Sequence, residues 1–240
     1  MPLLSAAQTD IGLARSENED RMLCADDLFL YAVADGIGGL PGGAEAAQTA
    51  ITALLKSARD AVQCGQTLDL VQAFKFANSE VIDLAHRFAP ETGLGTTMTA
   101  GHIHEGALRV VSVGDSRCYL FRSGRLRLLT TDDTVEQEVA VRRSRGEVVE
   151  LEDRYRNALT RCIGQPMPLE VRASIYPLQP GDRVLLCSDG VTRMIADSAL
   201  ARRLGQSGQP SVLLGGIVAD ALAAGGNDNI TGVIVEVTAS

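Results

Sequence analysis

The sequence predicts an α+β domain in which runs of antiparallel strands are layered against grouped helices. Short apolar runs come in clusters separated by Gly- or Asp-containing turns, as at residues 28–34, 96–103 and 107–113. Two long stretches with apolar residues at three- and four-residue spacing stand side by side, 44–64 and 67–87, parted only by Cys64-Gly65-Gln66. Helices do not alternate with strands along the chain, which argues against βαβ units and a parallel sheet.

Residues 3–11 read as a first strand. A polar stretch, 12–21, follows and carries Arg15 among Glu17, Glu19 and Asp20. Residues 21–25 form a short strand, Asp26-Asp27 a turn, and 28–34 a buried strand. That strand ends in Asp35-Gly36-Ile37-Gly38-Gly39. A carboxylate at a strand end is held by the sheet behind it, and glycines let backbone approach whatever it binds. The helical stretches 44–64 and 67–87 form an antiparallel pair. Residues 96–103, 107–113, 117–122 and 125–130 read as a four-strand meander with turns at Glu105-Gly106, Gly114-Asp115-Ser116 and Ser123-Gly124. Residues 134–165 are highly charged and read as a helix followed by an irregular surface excursion. A strand at 171–176, a turn at 178–182 and a strand at 183–188 lead into Asp189-Gly190. Helices at 198–204 and 211–224 precede Gly226-Asn227-Asp228-Asn229, which opens a last strand at 230–237.

Composition bounds the function. The chain has 240 residues, expected to form one domain, 1–240. Apolar residues are 45% while aromatics are 4% and Trp is absent, so the core must be aliphatic. The formal charge of −8 argues against a nucleic-acid or anionic-membrane partner, yet leaves room for a local phosphate-binding arginine. The five cysteines are odd in number and none forms C-x-x-C, so they are expected to be reduced. No cationic-then-apolar leader occupies residues 1–20 and no apolar run reaches about 18 residues. The expectation is a soluble cytoplasmic protein, with no membrane partner.

Three acidic strand ends, Asp35, Asp189 and Asp228, beside only three histidines in the chain, point to an all-oxygen site for hard cations. His102 and His104 lie two apart on a strand; without a third ligand they read as a solvated strand face and not a zinc pair. Ser116 has no base beside it in sequence and is not a nucleophile candidate. The absence of a G-x-x-x-x-G-K-[ST] loop disfavours a nucleotide-binding enzyme.

Seven motifs occur in order: Arg15-x-x-Asn18-Glu19-Asp20, Asp35-Gly36-x-Gly38-Gly39, Gly95-Thr96-Thr97, Gly114-Asp115-Ser116-Arg117, Leu129-Thr130-x-Asp132, Ser188-Asp189-Gly190 and Asp228-Asn229-Ile230-Thr231. Together they resemble the metal-dependent protein phosphatases of the PPM, or PP2C, family, from about residue 10 to 237. The resemblance implies a four-layer αββα sandwich, two antiparallel β-sheets flanked by helix pairs. It implies hydrolysis of phosphoserine and phosphothreonine by a water shared between two Mn²⁺ or Mg²⁺ ions. Asp35 would bridge the ions, the Gly36 carbonyl would serve one, and Asp189 and Asp228 the other. Asp115, with Asp189, would hold a third, weaker ion as in bacterial members. Glu19 would orient metal-bound water, Asn229 would steady Asp228, and Arg15 would clamp the substrate phosphate.

The chain departs from the family pattern at two places. Ile37 stands where many eukaryotic members have His, which leaves the general acid unassigned. Asp132-Asp133-Thr134 replaces the usual Asp-His-Ser. Residues 134–165 align with the family's variable flap. Phosphorylated proteins and a cognate serine/threonine kinase are the implied partners, in bacterial kinase–phosphatase signalling, and a monomer is expected. A non-catalytic phosphoprotein-binding module would need a lost metal carboxylate, and none is lost; a general small-phosphoester hydrolase would use the same site.

Overall fold

The computed structural model describes residues 2–37, 42–166, 168–171 and 173–239. Gly38 and Gly39 of the glycine-rich motif therefore lie outside the described residues. Among the described residues ten strands form two sheets in which every pairing is antiparallel. The strands are β1 (Leu3–Asp10), β2 (Asp20–Ala25), β3 (Leu30–Asp35), β4 (Met98–His104), β5 (Ala107–Val113), β6 (Arg117–Arg122), β7 (Arg125–Leu128), β8 (Ser174–Pro177), β9 (Arg183–Cys187) and β10 (Ile230–Val237). One sheet runs β1-β10-β9-β6-β7 and the other β2-β3-β4-β5-β8.

Helices cover the outer faces. The α1 (Gly43–Gln63) and α2 (Leu70–Phe88) pair packs on the β2–β8 sheet. Helices α5 (Asp197–Leu204) and α6 (Pro210–Ala223) pack on the other sheet. The remaining helices are α3 (Val135–Ser144) and the short α4 (Asp189–Thr192). This is the αββα sandwich expected.

Strand periodicity explains the layers. Along β3, Leu30, Ala32 and Ala34 join the core beneath α1 and α2, while Tyr31 and Val33 enter the core between the sheets. Along β9, Leu185 and Cys187 face α5 and α6, while Val184 and Leu186 face the opposite sheet. A strand buried on both faces must be apolar at every position, which is why these segments appear as unbroken runs. The small outward residues Ala32, Ala34 and Ala100 meet Ala46, Ala47 and Ala50 of α1 in the same core. Close approach of helix to sheet offsets the scarcity of aromatics.

Two expectations are corrected. The four strands from 96 to 130 are not one meander: β4-β5 and β6-β7 are hairpins in different sheets. Gly114-Asp115-Ser116 is the crossover between them. Its backbone is held by Asp133, whose carboxylate accepts the Gly114 N–H at 3.0 Å and whose own N–H donates to the Gly114 carbonyl at 3.0 Å. His102 does not lie on a solvated face: it is buried on β4, stacked against the half-buried ring of His104 at 5.8 Å. Burial pushes its imidazole down to about 4, so it is neutral at physiological pH. The five cysteines are free, as expected.

Candidate active site

Both sheets end together at one edge of the sandwich, and that edge collects the acidic residues. Antiparallel pairing places the end of β3, the start of β2, the end of β9 and the start of β10 beside one another. The cleft there, about 500 Å³, is lined by Arg15, Glu19, Asp35, Gly36, Asp115, Asp189, Arg193, Asp228 and Asn229. Every residue singled out from sequence for the site is in this one cleft. Residues Asn157, Leu159, Arg161 and Gln165, from the C-terminal part of the expected flap, close its other side.

Asp35 sits at the centre. Its backbone N–H donates to Thr97 Oγ1 at 3.0 Å, and its carbonyl accepts Thr97 N–H and Thr96 Oγ1, both at 2.8 Å. Thr97 Oγ1 is in turn 2.7 Å from Ser116 Oγ. Thr96, Thr97 and Ser116 thus carry no chemistry themselves; they fix the strand end from which Asp35 projects. Ser116 is a buried member of this network, which agrees with its rejection as nucleophile. The next residue, Gly36, has no room for a side chain: a Cβ there would lie 2.4 Å from the carbonyl of Gly43.

The electrostatics are those of crowded acids. Burial first, then repulsion from Asp20, Asp189, Asp115 and Asp228, raises the Asp35 carboxyl well above the ordinary carboxylate range. Asp115 is pushed up to about 7 by burial and by Asp189, with Arg193 opposing. Asp189 is also raised, by burial above all. Glu19 is raised by burial. It lies against the start of α1, where a Cβ on Gly43 would fall 2.5 Å from Glu19 Oε1.

Asp20 is a site residue that sequence reasoning passed over. It is 2% exposed, its Oδ2 accepts a 2.8 Å hydrogen bond from Ser188 Oγ, and its Oδ1 has no partner. Burial pushes its carboxyl up to about 6, and repulsion from Asp228 adds to this. Asp20 pairs directly with Asp35 across the β2–β3 hairpin, because residues 26–29 form the connection; the expected two-residue turn at 26–27 would have set Asn18 opposite Asp35 and so hid the second acid. Arg193 was also passed over. It caps the C-terminal end of α4, one turn beyond Asp189, and its guanidinium pairs with Asp189 and, at 3.4 Å, with Asp115 Oδ2. No helix was expected at 189–192, which hid that spacing, because an i,i+4 pair forms on a helix.

Arg15 is 40% exposed at the rim and donates to Asp228 Oδ2 at 2.8 Å. That bond holds its guanidinium above its ordinary value. Asn229 steadies Asp228 through its backbone, whose N–H reaches Asp228 Oδ1 at 2.9 Å. Its side chain does something else: Oδ1 accepts the Glu19 N–H at 2.8 Å, and Nδ2 donates to the carbonyls of Ile11 and Glu17 at 2.9 and 3.0 Å. Asn229 therefore ties the loop bearing Arg15 and Glu19 to the strand start bearing Asp228. The departures at 132–134 are all engaged. Asp132 takes a forked bond from Arg117, Asp133 braces Gly114 and pairs with Arg161, and Thr134 caps α3.

The donor set suits a hard divalent cation. It consists of carboxyl groups whose proton affinity is raised by burial and then by mutual repulsion, among them the orphaned Oδ1 atoms of Asp20 and Asp189. Among the described residues no three His, Cys, Asp or Glu side chains converge closely enough to hold an ion unaided. Mg²⁺ and Mn²⁺ keep several waters and need few protein ligands. Clustered carboxylates beside a rim guanidinium fit a metal-dependent phosphoester hydrolase.

Comparison with known proteins narrows the class. The family model "Protein phosphatase 2C" matches residues 15–212, and the chain belongs to that family. The serine/threonine phosphatase stp of Listeria monocytogenes is 29% identical over 236 residues, covering 95% of this chain and 94% of that one. The serine/threonine protein phosphatase PstP of Mycobacterium tuberculosis is 32% identical over 232 residues, 97% of this chain but 44% of PstP. The PstP catalytic domain in complex with two manganese ions superposes with a TM-score of 0.82, covering 99% of each chain. PppA, a component of the type VI secretion system in Pseudomonas aeruginosa, superposes with a TM-score of 0.83 at 27% identity, covering 98% of this chain and 97% of PppA. The chain is thus a bacterial-type, metal-dependent serine/threonine phosphatase. No helix among the described residues is long and apolar enough to cross a membrane.

Proposed function

We propose that the chain is a single catalytic domain that removes phosphate from phosphoserine and phosphothreonine in proteins, using two Mn²⁺ or Mg²⁺ ions held in the Asp35 cleft. The observation that carries the reading is the gathering of Asp20, Asp35, Asp115, Asp189 and Asp228 around one cleft with Arg15 at its rim. Asp35, the Gly36 carbonyl, Asp189 and Asp228 would hold the ions. When bound, the ions supply an acidified water and neutralise phosphoryl oxygens. The remaining work falls to the chain. Arg15 leaves Asp228 to the ions and forks onto two phosphate oxygens. Glu19 and Asp20 would accept hydrogen bonds from water beside the ions and so orient it. Ile37, half-buried in the cleft wall, cannot donate a proton, so the leaving oxygen would take its proton from water.

The partners are phosphoproteins, among them the substrates of a serine/threonine kinase, in a cytoplasmic setting. Relatives named as regulators of secretion or as protein phosphatases support this. The test compares kcat/KM on a phosphothreonine peptide with that on a small aryl phosphate, both with Mn²⁺. A peptide preference of tenfold or more is expected. Equal values would make the chain a general phosphoester hydrolase. Arg15→Ala should raise KM for the peptide at least tenfold with a smaller change in kcat.

A further inference from the structure

Asp115 and Asp189 face each other across the inner part of the cleft, both nearly buried. Two such carboxylates repel each other, and family resemblance assigns a third divalent ion to that position. In this structure a side chain of the protein is already there. Arg193 Nη2 pairs with Asp189 Oδ2 and lies 3.4 Å from Asp115 Oδ2. Its backbone is fixed on the same short helix, with its N–H donating to the Asp189 carbonyl at 2.8 Å, so the guanidinium springs from a point one turn from the acid it serves. No other arginine or lysine among the described residues forms an ion pair with either carboxylate; Arg15 pairs with Asp228.

We propose that the Arg193 guanidinium takes the place of the third cation, so that this chain binds two divalent ions where its bicarboxylate pair would otherwise bind three. The inference rests on the metal assignment proposed above. The physical reason is direct. A divalent ion between Asp115 and Asp189 would meet a fixed positive charge at contact distance, and a guanidinium stays charged at any physiological pH. The third ion can enter only after Arg193 swings outward, a motion its 39% exposed side chain allows. Arg193 is then a positioning residue: its single positive charge holds Asp115 and Asp189 together with no dependence on the ambient metal concentration. Asp133 and Arg161 add to this arrangement, since Asp133 fixes Gly114 and hence the backbone from which Asp115 projects.

The experiment is a count of bound metal, independent of turnover. Chelator-stripped full-length protein is dialysed against graded Mn²⁺, the metal per chain is measured by elemental analysis, and the same titration is followed by calorimetry. The wild type should saturate at two Mn²⁺. Arg193→Ala should saturate at three, with the added site filling at Mn²⁺ concentrations at least tenfold below any third binding in the wild type. Arg193→Gln, which keeps a polar side chain of similar reach, should behave as Arg193→Ala and guards against a variant that does not fold. Adding Asp115→Asn to either variant should return the count to two. Three ions in the wild type, or two in both folded Arg193 variants, would overturn the inference while leaving the two-metal site intact. No bound Mn²⁺ in the wild type would overturn the metal assignment and this inference together.

Discussion

Replacing Asn229 with alanine should loosen the loop that carries the phosphate clamp without touching a metal ligand. The side chain makes three hydrogen bonds and is nearly buried. Its loss strands the Glu19 N–H, part-buried behind the cleft, at a cost of about 1–2 kcal/mol. The Ile11 and Glu17 carbonyls belong to exposed residues and regain water, so each costs only ~0.5 kcal/mol. The sum is about 2–3 kcal/mol, which for a domain of this size lowers Tm by roughly 5–10 °C. Arg15 and Glu19 both lie on the released loop, so KM for a phosphopeptide should rise about tenfold while Mn²⁺ affinity changes little. Asn229→Asp retains the acceptor for Glu19 but loses both donors and adds charge beside Asp228, and it should be destabilised as well. Thermal melts and steady-state kinetics on the same preparations decide the matter. A folded Asn229→Ala protein with Tm within 1 °C of wild type and unchanged KM would refute the claim that this side chain knots the loop to the site.

Other perturbations have equally definite outcomes. Gly190→Ala would set a Cβ 2.0 Å from the Asn229 carbonyl oxygen, so backbone must move; a loss of more than ~2 kcal/mol in urea unfolding and weaker Mn²⁺ binding are expected. Asp133→Ala leaves the Gly114 N–H and Arg161 without their partner and should cost about 2–4 kcal/mol by the same measure. Phe74→Ala, fully buried on α2, should cost about 3–5 kcal/mol with Mn²⁺ affinity unchanged. The raised carboxyls fix a pH dependence. Asp20 and Asp115 hold protons up to about 6 and about 7 in the folded chain but release them near 3.8 when unfolded. The folded state therefore binds more protons between those limits, and the stability of metal-free protein falls as pH rises from 4 to 7. Metal-free melts should give a higher Tm at pH 5 than at pH 7.5, and saturating Mn²⁺ at pH 7.5 should close the gap; a metal-free Tm that rises with pH would contradict this.

How far the sequence could be read depended on what each residue's position required. Strands buried on both faces, such as β3 and β9, announce themselves as apolar runs, and the long amphipathic helices α1 and α2 by their spacing. Asp35, Asp189 and Asp228 were legible because each stands where an apolar run begins or ends. The crossover at Gly114-Asp115-Ser116 looked like a hairpin turn, because local sequence carries the turn but not which sheet receives the next strand. Asp20 and Arg193 depend on partners distant in the chain, Asp35 by strand register and Asp115 by the meeting of the two sheets. His102 was misjudged because alternation along β4 gives a face, whereas the turn after α1 that covers this face is remote in sequence: Gly65, Thr67 and Leu68 line the same small cleft as His102 and His104.

The central claim is that the Asp35 cleft is a metal-dependent phosphatase site. The measurement that tests it most directly is phosphate release from a phosphothreonine peptide, by the wild type with Mn²⁺ and with chelator, and by Asp35→Asn with Mn²⁺. Asp35→Asn is neutral where burial and the neighbouring acids already press the carboxyl toward its neutral form, so the variant should fold and melt no lower than metal-free wild type. Turnover that appears with Mn²⁺, vanishes with chelator and falls by orders of magnitude in folded Asp35→Asn is the predicted result. Turnover that persists in chelator, or survives in the variant, would contradict it.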